Sequence, residues 1–404
     1  MRVLLSEGSG LTQRQVATRL AQLGHRVEVL APDPWCLARF TRHVGRLHAA
    51  PRYGADPFGW LERALAVFRA GRFDVLLPTQ EQVAVLARCG DRLQSQGVAT
   101  AIPPFQALAQ VQDKVSSCHT LSALGIPQPA ARVVTRLEDL LAWDRFPVYV
   151  KRPIGTATLG VRKVASRDAL REAAAACADA FPRDGLLLQE PVQGPLAMVQ
   201  GVFCRGELVA LHANLRVREG ASGSASHKQS IDAAPFRVHL AHIGRRLGWH
   251  GALSADAILG PTGPAYIDVN PRLVEPGNAL AAGVDLVSAL LEVATASSPP
   301  IRPPGRPDVR THQLLMAVLG AAEQGRGRRG VLSELAAAAR RRGSYRDSTE
   351  ELTPAGGDWR AAIPLVVASL ATLALPANWR WFAQGSVENY ALTPSAWRKI
   401  LAGA

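Results

Sequence analysis

The stretch Asp256-Ala257-Ile258-Leu259-Gly260-Pro261-Thr262-Gly263-Pro264-Ala265-Tyr266-Ile267-Asp268-Val269-Asn270-Pro271-Arg272 decides how the middle of this chain folds. Its Gly-Pro-Thr-Gly centre has hairpin composition, and the apolar runs Leu253–Leu259 and Ala265–Val269 on either side read as the two strands. A hairpin brings Asp256 and Asp268, twelve residues apart, to one end of a sheet. Side chains alternate along a strand, so Asp268 and Asn270 share a face, and Arg272 follows two residues later. Two carboxylates and an amide oxygen are hard ligands; Mg2+ keeps several waters and takes one or two carboxylates together with nucleotide phosphates. A guanidinium at Arg272 can clamp a carboxylate or a transferring phosphoryl group. A lone acid at a strand end is usually a solvated edge. The combined spacing is what singles these residues out.

Upstream, Lys151 ends the apolar run Pro147–Val150 and opens a loop containing Gly155, Thr156 and Gly160. Such a loop offers backbone N–H and hydroxyl donors to phosphate while the lysine supplies charge, although an ordinary hairpin turn has the same composition. Short strands are expected at Ala131–Val134, Val148–Lys151, Val161–Val164, Leu186–Gln189, Met198–Phe203 and Glu207–His212, with helices near 113–124, 166–180 and 235–247. This makes residues 106–300 an α+β section. Residues 1–105 read differently: strands at Val3–Leu5, Val27–Leu30 and Asp74–Leu77 alternate with helical spacing, which implies a parallel sheet with crossover helices. Gly8-Ser9-Gly10 lacks the third glycine of a dinucleotide-binding turn and reads as a turn-former.

With 404 residues and 48% hydrophobic content the chain can bury a sizeable core in two or three domains. Its five cysteines are scattered without a CxxC pair, so neither a disulfide framework nor a structural zinc site is suggested and a reducing cytoplasm is expected. The apolar stretch near the N-terminus is too short for a secretion signal. A formal charge of +13 favours anionic partners. Ten arginines between 301 and 350 lie outside the section that carries the chemistry and have only Tyr345 nearby, so no nucleic-acid partner is expected.

Taken in order, these motifs resemble those of the ATP-grasp superfamily, particularly the biotin carboxylase and carbamoyl phosphate synthase branch and related carboxylate–amine ligases. The likeness runs over roughly residues 1–300. Gln112-Asp113-Lys114 followed by Leu124-Gly125-Ile126-Pro127 matches the family's opening, where the lysine contacts ATP phosphate. The resemblance gives Lys151, Gly155 and Thr156 to the phosphate loop, Gln189, Glu190 and Val192 to the adenine hinge, Asp256, Asp268 and Asn270 to the metal, and Arg272 to substrate or acyl phosphate. Residues 216–228 fall where the family carries a loop over the phosphates, which makes Arg218, His227 and Lys228 candidates for stabilising negative charge. The implied fold is α/β plus α+β: a Rossmann-like pre-ATP-grasp domain (1–105), an ATP-grasp domain of two α+β lobes (106–300) and a mainly helical C-terminal region (301–404). The implied reaction activates a carboxylate with ATP and Mg2+, or Mn2+, and couples it to an amine; a carbamoyl-phosphate or carboxylase-like enzyme and a non-catalytic nucleotide binder are the alternatives. The phosphate loop is poorer in glycine than in biotin carboxylase, and after the hinge the acid that commonly holds the ribose is missing from Gly194–Ala197. A homodimer fits the same family.

The last section carries no such motif. Ala361–Trp379 is uncharged and apolar, flanked by Trp359, Trp379, Trp381 and two arginines, yet slightly short for a span and interrupted by Pro364 and Pro376. Two expectations stand: membrane-surface contact through 361–381, making the protein peripheral to a membrane, or a helix packed on the core.

Overall fold

The computed structural model describes residues 1–155, 160–177, 185–296, 298–352 and 357–403. Strands β1 (Arg2–Leu5), β2 (Arg26–Ala31), β3 (Arg46–Ala49) and β4 (Val75–Leu77) form a parallel sheet in the order β3-β2-β1-β4. Both β1 and β4 are short apolar runs, as burial on both faces requires, whereas the edge strand β3 is half-exposed and carries Arg46 and His48. One face packs on the helices Leu11–Gln22 and Leu286–Thr295, the other on the helix Pro57–Gly71. At the first turn the Glu7 carboxylate accepts the backbone N–H groups of Ser9 at 2.5 Å and Gly10 at 2.9 Å. The protein's own acid therefore fills the helix N-terminus where a dinucleotide phosphate would sit, in keeping with glycines that serve the turn alone. Burial pushes the Glu7 carboxyl up to about 7 against the pull of those two N–H groups and Arg272.

The second sheet is antiparallel: β5 (Ala131–Val134), β6 (Val148–Lys151), β7 (Val161–Val164) and β8 (Leu186–Gln189) in the order β5-β8-β6-β7. The third has seven strands: β9 (Leu196–Cys204), β10 (Glu207–Glu219), β11 (Ala225–Ile231), β12 (Gly251–Gly260), β13 (Gly263–Asn270), β14 (Arg310–His312) and β15 (Ser348–Glu350), ordered β13-β12-β9-β10-β11-β14-β15.

Alternation gives this large sheet two unlike faces. Ala197 and Val199, Leu211 and Ala213, Leu253, Ala255 and Ala257, and Val269 pack together with Phe236, Leu240 and Ile243 of the helix Ala234–Leu247. The residues between them in sequence point the other way, and register aligns them in rows: Asp268 opposite Asp256, then Met198, then Asn214; beside that row, Leu196, Arg216, Lys228 and Thr311. A period of two thus separates a dry packing face from a polar working face without any special loop.

The structure differs from the sequence reading in two places. Strand β10 runs to Glu219 and β11 starts at Ala225, so most of the segment read as a loop over the phosphates is paired strand. The last hundred residues are mainly helical but do not stand apart. Strands β14 and β15 extend the large sheet, and Trp397 and Ile400 of the helix Pro394–Ala402 join the core beside Trp60. The stretch 361–381 folds as the helices Ile363–Ala374 and Trp379–Gln384, and among the described residues no helix is long and apolar enough to cross a membrane.

Candidate active site

The polar face of the large sheet floors a cleft of about 330 Å³, lined among others by Gly155, Asn214, Arg216, Lys228, Asp256, Asp268, Asn270 and Arg272. The hairpin β12–β13 brings Asp256 and Asp268 into direct cross-strand register, with Asn270 opposite Ser254 one step along. Ser254 Oγ donates to the Arg272 carbonyl at 2.6 Å, which pins the turn that follows β13.

Two lysines reach this hairpin from elsewhere. Lys114 opens the helix Lys114–Ala123, whose first turn is capped by Asp113 accepting from Val115 and Ser116 at 3.1 and 2.7 Å. Asp113 is therefore a structural cap, of a kind that contributes about 1 kcal/mol. The Lys114 ammonium donates to both oxygens of Asp268 at 2.9 Å. Lys151, at the end of β6 in the small sheet, crosses to the large one and donates to the Ile267 carbonyl at 2.7 Å. Lys151 thus ties the small sheet to the large one at the Ile267 carbonyl, while Lys114 ties its helix to the same strand at Asp268.

Their electrostatics follow from the shared enclosure. Burial, helped by Asp268 beside it, raises the Asp256 carboxyl to about 6 although Lys114 and Lys151 oppose the shift. Burial lowers Lys151 to about 8, with Lys114 adding to the fall and the two aspartates resisting it. Protonation is costly to Lys151 here and ionisation is costly to Asp256. Among the described residues no three of His, Cys, Asp and Glu gather into a closed metal cage. Two carboxylates and one amide oxygen nevertheless fit Mg2+ or Mn2+ arriving with phosphates that complete its shell, and such a cation would relieve the repulsion that raises Asp256.

Arg272 Nε donates to Glu81 at 3.1 Å, and Glu81 is in turn held by Gln112 at 3.2 Å. Gln112 is thus tied to Arg272 through one carboxylate. Lys228 is almost wholly buried between Glu275 at 2.7 Å and Glu351 at 2.9 Å, and Gln313 donates to the same two carboxylates. It lies on the floor of the cleft with its charge already matched.

Arg218 is not brought to the cleft. A bulge between Arg216 and Arg218 breaks the alternation of β10 and turns Arg218 to the far side, where it forms a two-pronged ion pair with buried Glu334, itself bound by Tyr345 and Arg326. Arg216 lines the cleft instead, together with Asn214 and Glu275. These three were missed by the sequence reading. The sequence reading ends this strand at His212, whereas β10 runs on to Glu219, and the alternation beyond His212 sets Asn214 and Arg216 on one face. His227 stacks on His312 and meets Tyr345 edge-on, and it does not line the cleft. Gln189 is buried at the end of β8, Glu190 pairs with Arg145 at 2.7 Å, and Val192 follows in the crossing between the sheets; none of the three lines the cleft. Thr156 lies outside the described residues.

No protein-family model and no curated protein sequence matches the chain. Solved structures do. The biotin carboxylase domain of 2-oxoglutarate carboxylase from Hydrogenobacter thermophilus, in complex with MgADP, ADP and bicarbonate, aligns with TM-score 0.60 at 15% identity over 76% of this chain and 73% of its own. Biotin carboxylase from Campylobacter jejuni gives TM-score 0.60 at 15% identity over 76% and 74%. N5-carboxyaminoimidazole synthetase from Staphylococcus aureus complexed with ADP gives TM-score 0.56 at 15% identity over 74% and 78%. The chain has the ATP-grasp fold.

Proposed function

We propose that the protein is an ATP-dependent carboxylate–amine ligase, which activates a small acid, amino acids included, as an acyl phosphate and joins it to an amine with release of ADP and phosphate. The observation that carries this is the convergence of Lys114 from one helix and Lys151 from the small sheet on the β12–β13 hairpin, whose Asp256, Asp268 and Asn270 line the cleft. Solved neighbours of the same fold bound to MgADP with bicarbonate or to ADP support the nucleotide and the metal.

Each side chain then has a task. A Mg2+ or Mn2+ ion held by Asp256, Asp268 and Asn270 would supply charge against the nucleotide phosphates. Lys114, held beside the hairpin by Asp268, neutralises phosphate oxygen. Lys151, with its ammonium favoured below about pH 8, does the same from the opposite sheet. Gln189, Glu190 and Val192 remain the proposed adenine contacts at the crossing between sheets. Arg272, fixed through Glu81 and the Leu273 carbonyl, presents its remaining N–H groups to the acid, and Arg216, held by Glu219 at 3.1 Å and the Gly223 carbonyl at 2.7 Å, offers a second guanidinium at the cleft wall. An acid oxygen attacks the γ-phosphorus in line, ADP leaves, and the amine nitrogen then attacks the acyl carbon. Phosphate departs with the bridging oxygen and the proton shed by nitrogen. Fixed guanidinium donors at the developing oxyanion contribute several kcal/mol to such steps.

Phosphate release from Mg-ATP, scanned against paired amino acids, small carboxylic acids and amines, tests the proposal. Release that requires both an acid and an amine, with one amide formed per phosphate, is expected. Release with bicarbonate alone would move the assignment to carboxylase-like chemistry; nucleotide binding without release under any pair would leave a non-catalytic binder.

We place the enzyme in the cytoplasm, where the five free cysteines suit a reducing medium. A membrane-surface contact has its own support. The helix Ile363–Ala374 buries Ala368, Ser369 and Thr372 but exposes Val366, Val367 and Leu370, the reverse of an ordinary surface helix. Trp359 and Trp381, both more than 70% exposed, flank that face beside Arg360 and Arg380. Co-sedimentation with vesicles containing one-third phosphatidylserine is expected for the wild type, with at least about a tenfold loss in Leu370→Asp. Retention in the supernatant at a mass of two chains would instead assign the face to a homodimer.

A further inference from the structure

Beyond the metal hairpin, the cleft changes character. Next to Arg216 and Arg272 it is bounded by a wall made by the C-terminal helices and the loop that follows them, where Leu315, Met316, Leu319, Phe382, Val387 and Tyr390 face the same space. These side chains come from the helix Leu314–Glu323 and from residues 379–390, and Leu11 closes the near side. Apolar residues there are not simply core that happens to border a void. Phe382 and Leu11 are only half-buried, although both pack against the same cluster as Leu319 and Met316. Water in that end of the cleft has few partners, and an apolar group that displaces it gains free energy in proportion to the area covered.

Resting on the ligase reading given above, we infer that the acid substrate carries an apolar tail: its carboxylate lies at the cationic end of the cleft and its hydrocarbon or aromatic portion occupies the end walled by Leu315, Leu319 and Phe382. Two guanidinium groups at one end and apolar side chains at the other fix the orientation. A reversed acid would set an unpaired carboxylate against Leu319 and leave the tail against Asp256 and Asp268, an arrangement that charge burial disfavours. The C-terminal hundred residues then have a task in selection. They supply the tail-binding wall, while the sheets supply the nucleotide and metal end.

Straight-chain alkanoates test this without turnover. The full-length protein is titrated calorimetrically with butyrate, hexanoate, octanoate and decanoate in the presence of Mg-ADP. Affinity is expected to rise about fourfold for each added CH2 until the cleft is filled. Phe382→Asp, which puts a charge beside the tail, is expected to abolish the dependence on chain length while Mg-ADP binds as in the wild type. Leu319→Ala, which removes volume without adding charge, is expected to move the best-binding acid to a longer chain. Affinity that does not change with chain length, or a wild-type dependence that survives in Phe382→Asp, would overturn the inference. Mg-ADP titrated alone separates the two claims: loss of nucleotide binding would strike the ligase reading, whereas intact nucleotide binding with flat alkanoate affinity strikes only the apolar tail.

Discussion

Asp268→Asn is expected to lower acid- and amine-dependent phosphate release from Mg-ATP by about a thousandfold, with Asp91→Asn on the exposed surface unchanged. Asp268 stands at the point where three parts of the chain meet. It is the cross-strand partner of Asp256, it takes both prongs of the Lys114 ammonium at 2.9 Å, and it resists the loss of the proton-bound form of Lys151. The amide keeps the shape and removes the charge, so a divalent cation loses an anionic ligand and Lys114 loses its resting counter-charge. The buried Lys114 is then uncompensated, which costs the nucleotide-free protein about 1–3 kcal/mol. Added ATP should restore part of that stability, because phosphate offers the ammonium a new partner. A variant that melts like the wild type and retains more than a tenth of its rate would remove Asp268 from the metal site.

Lys228→Met should have the largest effect on stability, about 3–5 kcal/mol at pH 7. The ammonium is 2% exposed and lies between Glu275 and Glu351, the latter 1% exposed and further held by Thr311 at 2.6 Å and Gln15 at 2.9 Å. Methionine preserves the length of the side chain but leaves two enclosed carboxylates facing each other. In the native protein burial works to raise Glu351, yet Lys228 and the hydrogen bonds from Thr311 and Gln313 outweigh it and hold the carboxyl below the usual range. A depressed carboxyl contributes stability above the unfolded value near 4.3, and that contribution fades as pH falls through the native value. In Lys228→Met the sign reverses. The pair without its cation binds a proton more tightly than unfolded glutamate does, so the variant's deficit should shrink between pH 7 and pH 5. Adding Glu351→Gln to Lys228→Met should recover part of the loss at pH 7. Denaturant melts at the two pH values measure both; a deficit that grows on acidification contradicts the assignment of Lys228 as the counter-ion.

How much of this was legible from residues alone depends on local period. The β12–β13 hairpin was readable because its turn composition and the spacing of Asp256, Asp268 and Asn270 are local, and the structure places them in register and on one face. The strand–helix order also gives three strands of the parallel first sheet, without β3 (Arg46–Ala49), and side-chain pattern gives most strands of the other two. It failed where local sequence is uninformative. Residues 216–228 are rich in small and charged side chains, which read as loop, yet the pairing of β10 with β11, and of β11 with β14, makes most of them strand. The bulge after Arg216 is a tertiary feature with no signature in the neighbouring residues, so Arg218 was favoured where Arg216 lines the cleft. Lys228 borders the cleft, and its two acidic partners lie 47 and 123 residues away in sequence. No periodicity reveals such a pairing. For the same reason the C-terminal helices could be anticipated as apolar segments and not as a wall of the cleft.

The central claim is that a carboxylate attacks the γ-phosphate of ATP before nitrogen attacks carbon. The most direct measurement uses the acid and amine that support phosphate release, with both carboxylate oxygens of the acid carrying 18O, and determines the isotopic mass of the phosphate released from unlabelled Mg-ATP in unlabelled water. One 18O atom in each phosphate, with the other left in the amide, is predicted, because the oxygen that bridges the acyl phosphate departs with phosphorus. Phosphate free of 18O would show that water hydrolyses ATP without an acyl phosphate, and would contradict the ligase mechanism.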